Sequence, residues 1–225
     1  MFRTDTDTID DALSVMDAVI ERAHSARDPG GYFAALYRAV TRRVRDGIVA
    51  GRYDDPNRMS RFDALFANRY FDALNTHLAA GRPTRPWRLA FEAASSGKAT
   101  ILQNLLLGMN AHINLDLAIA AAEVAPGDAI DGLAADFERI NNVLAALLDK
   151  AQAAINRFAP LLGLLDQALV RVDESVANFS IRHAREDAWT HARLLARLPE
   201  AQRPDVIALV ERRAELVAHQ VINPL

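Results

Sequence analysis

The sequence predicts an all-α fold: a single-domain bundle of about nine helices around a central buried helix at about residues 98–123. Apolar residues make up 51% of the 225 residues, which is enough to bury a large core. The chain has only 10 glycines and 9 prolines and few β-branched runs, and this composition favours helices. Apolar side chains recur at the helical period between turn residues. We therefore expect one domain over residues 1–225, with a flexible segment at residues 1–7.

Turn and capping residues separate the nine predicted helices. The first five are expected at about residues 8–24, around 33–44, at 61–77, from 86 onward and at 98–123. The last four are expected at about residues 133–148, 161–172, 180–197 and from 204 onward. Ser60 is placed to cap the third helix, and Pro126-Gly127-Asp128 closes the central one. The boundaries thus rest on local chemistry as well as on periodicity.

The central helix carries polar side chains on two nearly opposite sides. At roughly 100° per residue, Gln103, Asn110 and Asn114 fall on one side. His112 and Asp116 fall on the other side. A buried polar group without a partner costs about 1–3 kcal/mol, so this helix should be surrounded by others that supply partners. Its polar content also argues against a membrane span, and it is the best candidate for a functional site.

His112 and Asp116 lie four residues apart, so both side chains can face one point. Three interpretations stay open: a structural pair, acid–base chemistry by an imidazole that the carboxylate orients, and a divalent metal site. A metal would need a further ligand, for which the available residues are Asp72, His77, Glu123 and Asp136. The sequence itself requires no cofactor.

Arg185 falls on the core-facing arc of its helix, where a guanidinium needs carboxylate or carbonyl acceptors. We expect it to reach a buried acid such as Asp116 or Asp136, either as a structural ion pair or as part of a site. The spacing of His183, Asp187 and His191 is also typical of metal ligands, but they are predicted to lie on the solvent-facing side of that helix.

Composition and charge narrow the classes of partner. The net charge is -3, from 26 basic and 29 acidic residues, and such a balance disfavours nucleic acid or an anionic membrane surface as a partner. The absence of cysteine excludes disulfides, thiolate metal sites and cysteine nucleophiles. The N-terminus has no apolar signal core, so a cytoplasmic location is the expectation. The sequence gives no indication of an oligomeric state.

Four segments resemble a bacterial family known as domain of unknown function 5995. They are Leu106 to Asp116, Phe66 to Tyr70, Asp136 to Asn141, and Ala184 to Trp189. The resemblance extends from about Tyr32 to Trp189 and implies an α-helical single domain whose function is not established. It favours a shared constellation of six residues: Arg69, Asn110, His112, Asp116, Arg139 and Arg185.

The leading hypothesis is a helical protein with an internal pocket for a small, largely apolar molecule. His112, Asp116 and Arg185 would be its catalytic residues, through acid–base chemistry or through metal-assisted hydrolysis at His112 and Asp116. The expected ligand-binding residues are Arg69, Tyr70, Asn110, Asn114 and Arg139. The competing hypothesis is a non-catalytic ligand-binding or protein-interaction module in which the polar cluster only fixes helix packing.

Overall fold

The computed structural model describes residues 1–140, 143 and 181–223, and within these residues every regular element is helical. The first helices are α1 (Ile9–Ala26), α2 (Gly31–Val49), α3 (Pro56–Leu78), α4 (Arg85–Ser96) and α5 (Ile101–Ala111). A π-helical turn (His112–Asp116), α6 (Leu117–Val124), a 3₁₀ turn (Gly127–Leu133) and helical residues 134–140 follow. The last elements are α7 (Ile181–Arg197), a 3₁₀ turn (Glu200–Gln202) and α8 (Arg203–Ile222).

The predicted all-α class is therefore confirmed, and the structure forms a single helical domain. The figure of nine helices is approximate, because the helix expected at 161–172 and most of the one at 133–148 lie outside the described residues.

The start of α3 shows how local chemistry sets a boundary. The predicted cap, Ser60, is wrong, because the helix begins one turn earlier. Asp55 caps it by accepting a hydrogen bond from the backbone N–H of Arg58, and Pro56 occupies the first turn, where its missing N–H costs nothing. Ser60 instead accepts a hydrogen bond of 3.1 Å from the backbone N–H of Ile9, which joins α1 to α3.

The predicted central helix exists, and α5, the π turn and α6 form it without interruption. A capping box fixes its start, since the Thr100 hydroxyl accepts from the Gln103 backbone while the Gln103 side chain accepts from Thr100. Helices α2, α3, α4, α7 and α8 all pack against it. It is long and apolar enough to cross a membrane by length and composition, and 89% of its most apolar window is buried inside the protein. It is therefore the core helix of the domain.

One of the two predicted polar sides of this helix holds the C-terminal helix in place. The side-chain amide of Asn110 donates to the Ala214 carbonyl at 2.8 Å, and Asn114 donates to the Asn110 side-chain oxygen at 2.8 Å. Gln103 donates to the Val221 carbonyl at 3.0 Å. These amides connect the central helix to α8. The opposite side faces α2, α3 and α4 and carries the candidate site.

The N-terminal segment, expected to be flexible, is hydrogen-bonded to α3. The side chain of Asn75 pairs with both backbone groups of Phe2, at 2.7 Å each. Thr6 is 2% exposed and binds the side chain of Asn68 through its backbone N–H and its hydroxyl. We therefore expect this segment to be more ordered than its sequence suggests.

Candidate functional site

The π-helical turn positions His112 and Asp116. Within it the backbone N–H of Leu117 donates to the carbonyl of His112, five residues back instead of four. Such turns recur at functional sites because they alter the direction of side chains within a helix. His112 is 3% exposed and Asp116 is 2% exposed, so both polar groups lie in the interior.

Three donors surround the Asp116 carboxylate. Arg69 Nε on α3 donates to Oδ1 at 3.1 Å, and the indole N–H of Trp87 on α4 donates to Oδ2 at 2.8 Å. His112 Nδ1 lies 3.3 Å from the same Oδ2. The sequence predicted Arg69 at the site but not Trp87. Trp87 could have been found by the rule that a buried indole N–H needs an acceptor.

The contact with Asp116 determines which nitrogen of His112 carries the proton. A carboxylate accepts hydrogen bonds, so Nδ1 is the protonated nitrogen and Nε2 carries the lone pair. His112 Nε2 is buried and has no hydrogen-bond partner among the described residues. Burial lowers the pKa of His112, and this outweighs the opposing effect of Asp116. The neutral imidazole therefore presents a free basic nitrogen.

Aromatic rings hold the imidazole in one orientation. The Phe66 ring stacks on it with centroids 3.5 Å apart and planes 7° apart. The Tyr37 ring meets it edge-on at 4.3 Å, and Phe33 lies 5.8 Å away. These contacts fix the ring plane and shield it from water.

His112 contributes to the wall of a pocket between α2, α3, the central helix and α7. The pocket encloses a cavity of about 60 Å³, within about 690 Å³ of space that includes open solvent at its mouth. Leu36, Phe62, Met109 and Ile113 are among its mostly apolar walls. An apolar lining with a few convergent polar groups is the chemistry typical of small-molecule sites.

Two further polar residues of this pocket were missed by sequence reasoning. Tyr37 and Asp63 line it, and Tyr37 Oη and Asp63 Oδ2 are buried without a hydrogen-bond partner in the described part of the chain. Burial raises the pKa of Asp63 to about 7. One signal could have revealed it: Asp63 shares the buried face of α3 with Phe66 and Tyr70, so the apolar pattern contains a carboxylate.

Arg185 is buried as predicted, at 2% exposure, and it also lines the pocket. Its Nη2 donates to the Phe137 carbonyl at 2.7 Å, and the guanidinium lies 4.3 Å from the centroid of the Phe137 ring. Burial lowers its pKa to about 9. The two acids predicted as its partners are engaged elsewhere, Asp116 by Arg69 and Asp136 by Arg139 and another arginine.

The structure brings some predicted site residues together and separates others. Arg69 touches Asp116, and the Tyr70 ring lies 5.1 Å from that of Trp87. Arg139 instead forms ion pairs with Asp136 and Asp54 in a separate cluster. Asn110 and Asn114 lie on the opposite side of the central helix, as described above.

The donor set beside His112 gives little support to a metal. Within residues 1–140, 143 and 181–223, no group of three His, Cys, Asp or Glu residues is placed to hold an ion. Both Asp116 oxygens already accept hydrogen bonds, one of them from a guanidinium, and a neighbouring positive charge disfavours a cation. His77, one of the possible further ligands, stacks on Phe91 with centroids 4.8 Å apart. Metal binding stays an untested alternative.

A search of curated proteins and a search of solved structures each found no match to this chain. A family model described as "Family of unknown function (DUF5995)" matches residues 9–224, which is nearly the whole chain. The match confirms the resemblance carried by the central-helix motif and the other segments. The chain belongs to the DUF5995 family of unknown function.

Proposed function

We propose that this protein binds a small, largely apolar molecule in the pocket beside His112, and that the His112–Asp116 pair accepts a proton or hydrogen bond from it. One observation carries the proposal. His112 Nε2 is buried at a pocket wall without a partner in the described residues, while Nδ1 is held by Asp116.

The energetics support a ligand at this nitrogen. A buried acceptor without a partner costs about 1–3 kcal/mol, and a ligand O–H or N–H group would remove that cost. Burial favours the neutral imidazole, so Nε2 is ready to accept. Asp116 fixes the tautomer, as the carboxylate partner of a general-base histidine does. A ligand whose proton His112 removes would make the protein an acid–base enzyme.

The competing function is a non-catalytic module in which the cluster only stabilises the helices. The contacts from Arg69 and Trp87 to Asp116 fit that role equally well. The free Nε2 favours a ligand, because a purely structural cluster would gain stability from an apolar ring there. A cytoplasmic location remains part of this proposal, and the burial of the long, apolar central helix is compatible with it.

The test compares two probes that differ only in a hydroxyl group, naphthalene and 2-naphthol, by isothermal titration calorimetry. We expect 2-naphthol to bind about fivefold to tenfold more tightly, as one added hydrogen bond implies. His112→Phe should abolish that preference without abolishing naphthalene binding. The control is His219→Phe, which changes an exposed histidine on α8.

The pH dependence adds a second readout. Because burial holds the pKa of His112 below its usual value of 6.5, the preference for 2-naphthol should persist from pH 8 to below pH 6.5. Failure of both probes to bind would contradict the pocket. Equal affinities in the wild-type protein would contradict the role of Nε2.

A further inference from the structure

We propose that Tyr37 and Asp63 form a second polar group in the same pocket, which donates hydrogen bonds to an acceptor oxygen of the ligand. The ligand class is then an apolar molecule that carries a carbonyl-type oxygen in addition to the group facing His112. This inference rests on the proposed binding function of the pocket.

The two side chains come from neighbouring helices and meet at one wall. Tyr37 lies on α2 and Asp63 on α3, and both line the pocket with His112. The centroids of the Tyr37 and His112 rings lie 4.3 Å apart. The group formed by Tyr37 and Asp63 therefore lies in the same cavity as His112. Thr41 lies one turn along α2 from Tyr37 and is fully buried.

Each of these three side chains has one polar atom without a hydrogen-bond partner among the described residues. Tyr37 Oη, Thr41 Oγ1 and Asp63 Oδ2 are buried and make no hydrogen bond within the described residues. Thr41 moderates the raised pKa of both Tyr37 and Asp63, which places the three groups close together. Buried polar atoms are nearly always paired in folded proteins. Two of these atoms, on Tyr37 and Asp63, belong to side chains that line the cavity, where a ligand would supply the missing partner.

Tyr37 and Asp63 can donate hydrogen bonds because both side chains are protonated below neutral pH. Burial raises the pKa of Asp63 to about 7 and the pKa of Tyr37 well above its usual value. Below neutral pH both groups hold their protons, and a neutral carboxylic acid donates as a phenol does. The titratable groups around Asp63 are Tyr37 on α2, Tyr53 before α3, His112 on the central helix and Arg185 on α7.

The experiment titrates naphthalene and 2-acetylnaphthalene into the full chain by calorimetry at pH 6 and pH 8. We expect the ketone to bind about fivefold more tightly than naphthalene at pH 6. That preference should shrink at pH 8, where the Asp63 carboxylate can no longer donate. Asp63→Asn retains an N–H donor, so it should keep the preference at both pH values. Asp63→Leu should lose it at both.

The control is Asp72→Asn, an exposed position on the same helix, and it should behave as the wild-type protein does. If naphthalene itself does not bind, both this inference and the proposed function are overturned. If naphthalene binds but the ketone has no advantage at pH 6, only this inference fails. If Asp63→Leu does not fold, Asp63→Asn still tests the inference. If Asp63→Asn shows the same pH-dependent preference for the ketone as the wild-type protein, the Asp63 proton has no role in binding.

Discussion

Two buried carboxylates in this protein, Asp136 and Asp63, have opposite surroundings. Asp136 is 0% exposed and accepts hydrogen bonds from the backbone N–H groups of Asp54 and Asp55, at 2.8 and 3.2 Å. Arginine side chains complete its shell. Burial alone would raise the pKa of Asp136, yet these donors hold it below its usual value. Asp63 Oδ2 has no hydrogen-bond partner within the described residues, and burial raises the pKa of Asp63 to about 7.

The difference separates a structural carboxylate from a functional candidate. Asp136 joins the turn before α3 to the helical residues 134–140 through hydrogen bonds from the backbone of that turn and from two arginines. Burial of Asp63 costs the fold stability, because its Oδ2 has no hydrogen-bond partner among the residues that the structure describes. His112 is intermediate, because Nδ1 contacts Asp116 while Nε2 has no hydrogen-bond partner among the described residues. Unsatisfied polarity beside a cavity therefore indicates the functional region better than burial or charge alone.

The largest expected effect on stability comes from removing the hydrogen-bonded carboxylate of Asp136. Asp136→Ala leaves two backbone N–H groups without their acceptor and takes one acceptor from each of two arginines, which keep Asp54 and the Gly132 carbonyl. We expect a loss of about 3 kcal/mol in the free energy of unfolding. Arg58 and Arg139 keep partial access to water, which limits the cost. Urea denaturation at pH 7 measures it.

The effect of Asp136→Ala on stability should also depend on pH. Because the folded-state pKa of Asp136 lies below the usual 3.8, its contribution is present above that pH and is lost as pH falls through the folded value. The difference between wild type and variant should therefore shrink in acid. Asp128→Ala removes an exposed carboxylate paired with Arg197 and should leave the midpoint unchanged. If Asp136→Ala and the wild-type protein had the same urea midpoint at pH 7, the contrast between Asp136 and Asp63 would be contradicted.

Replacing Asp63 should change the free energy of unfolding in the opposite direction, toward greater stability. The raised pKa of Asp63 means that the folded state binds its proton more tightly than the unfolded state does. The contribution of Asp63 to the free energy of unfolding therefore falls as pH rises from about 4 to about 7, and it stays low above pH 7. Asp63→Asn removes the charge, and we expect a gain of about 2 kcal/mol at pH 8 and almost none at pH 4. Thermal unfolding at the two pH values checks this, and a pH-independent change would show that Asp63 is ionised at little cost.

The sequence predicted the fold and half of the site for identifiable reasons. Helical periodicity located the central helix, and the four-residue spacing of His112 and Asp116 predicted that they meet. Periodicity cannot show which donors reach a carboxylate from other helices, so Trp87 was missed and Arg185 was expected beside the wrong acids. Asp63 was overlooked because one carboxylate barely disturbs an apolar pattern. That Asp63 Oδ2 has no partner in the described part of the chain is visible only in three dimensions.

The smallest effect concerns the intermediate case, the cluster at Asp116. Trp87 is 1% exposed, and Trp87→Phe keeps an aromatic ring while it removes the 2.8 Å hydrogen bond to Asp116 Oδ2. We expect a loss of about 1.5 kcal/mol in the free energy of unfolding. Trp189→Phe is the matched control, since Trp189 packs on Phe137 with centroids 4.7 Å apart.

A second readout separates this hydrogen bond from packing alone. With one donor gone, Asp116 Oδ2 accepts more strongly from His112 Nδ1 and stabilises the imidazolium, so the pKa of His112 should rise toward 6.5. An NMR titration of the His112 ring measures that rise. The Trp189→Phe variant should leave this pKa unchanged, because Trp189 makes no contact with the cluster within the described residues. A loss of stability in Trp87→Phe without a change in the pKa of His112 would mean that Trp87 supports packing only, and that the protonation of His112 is set by burial alone.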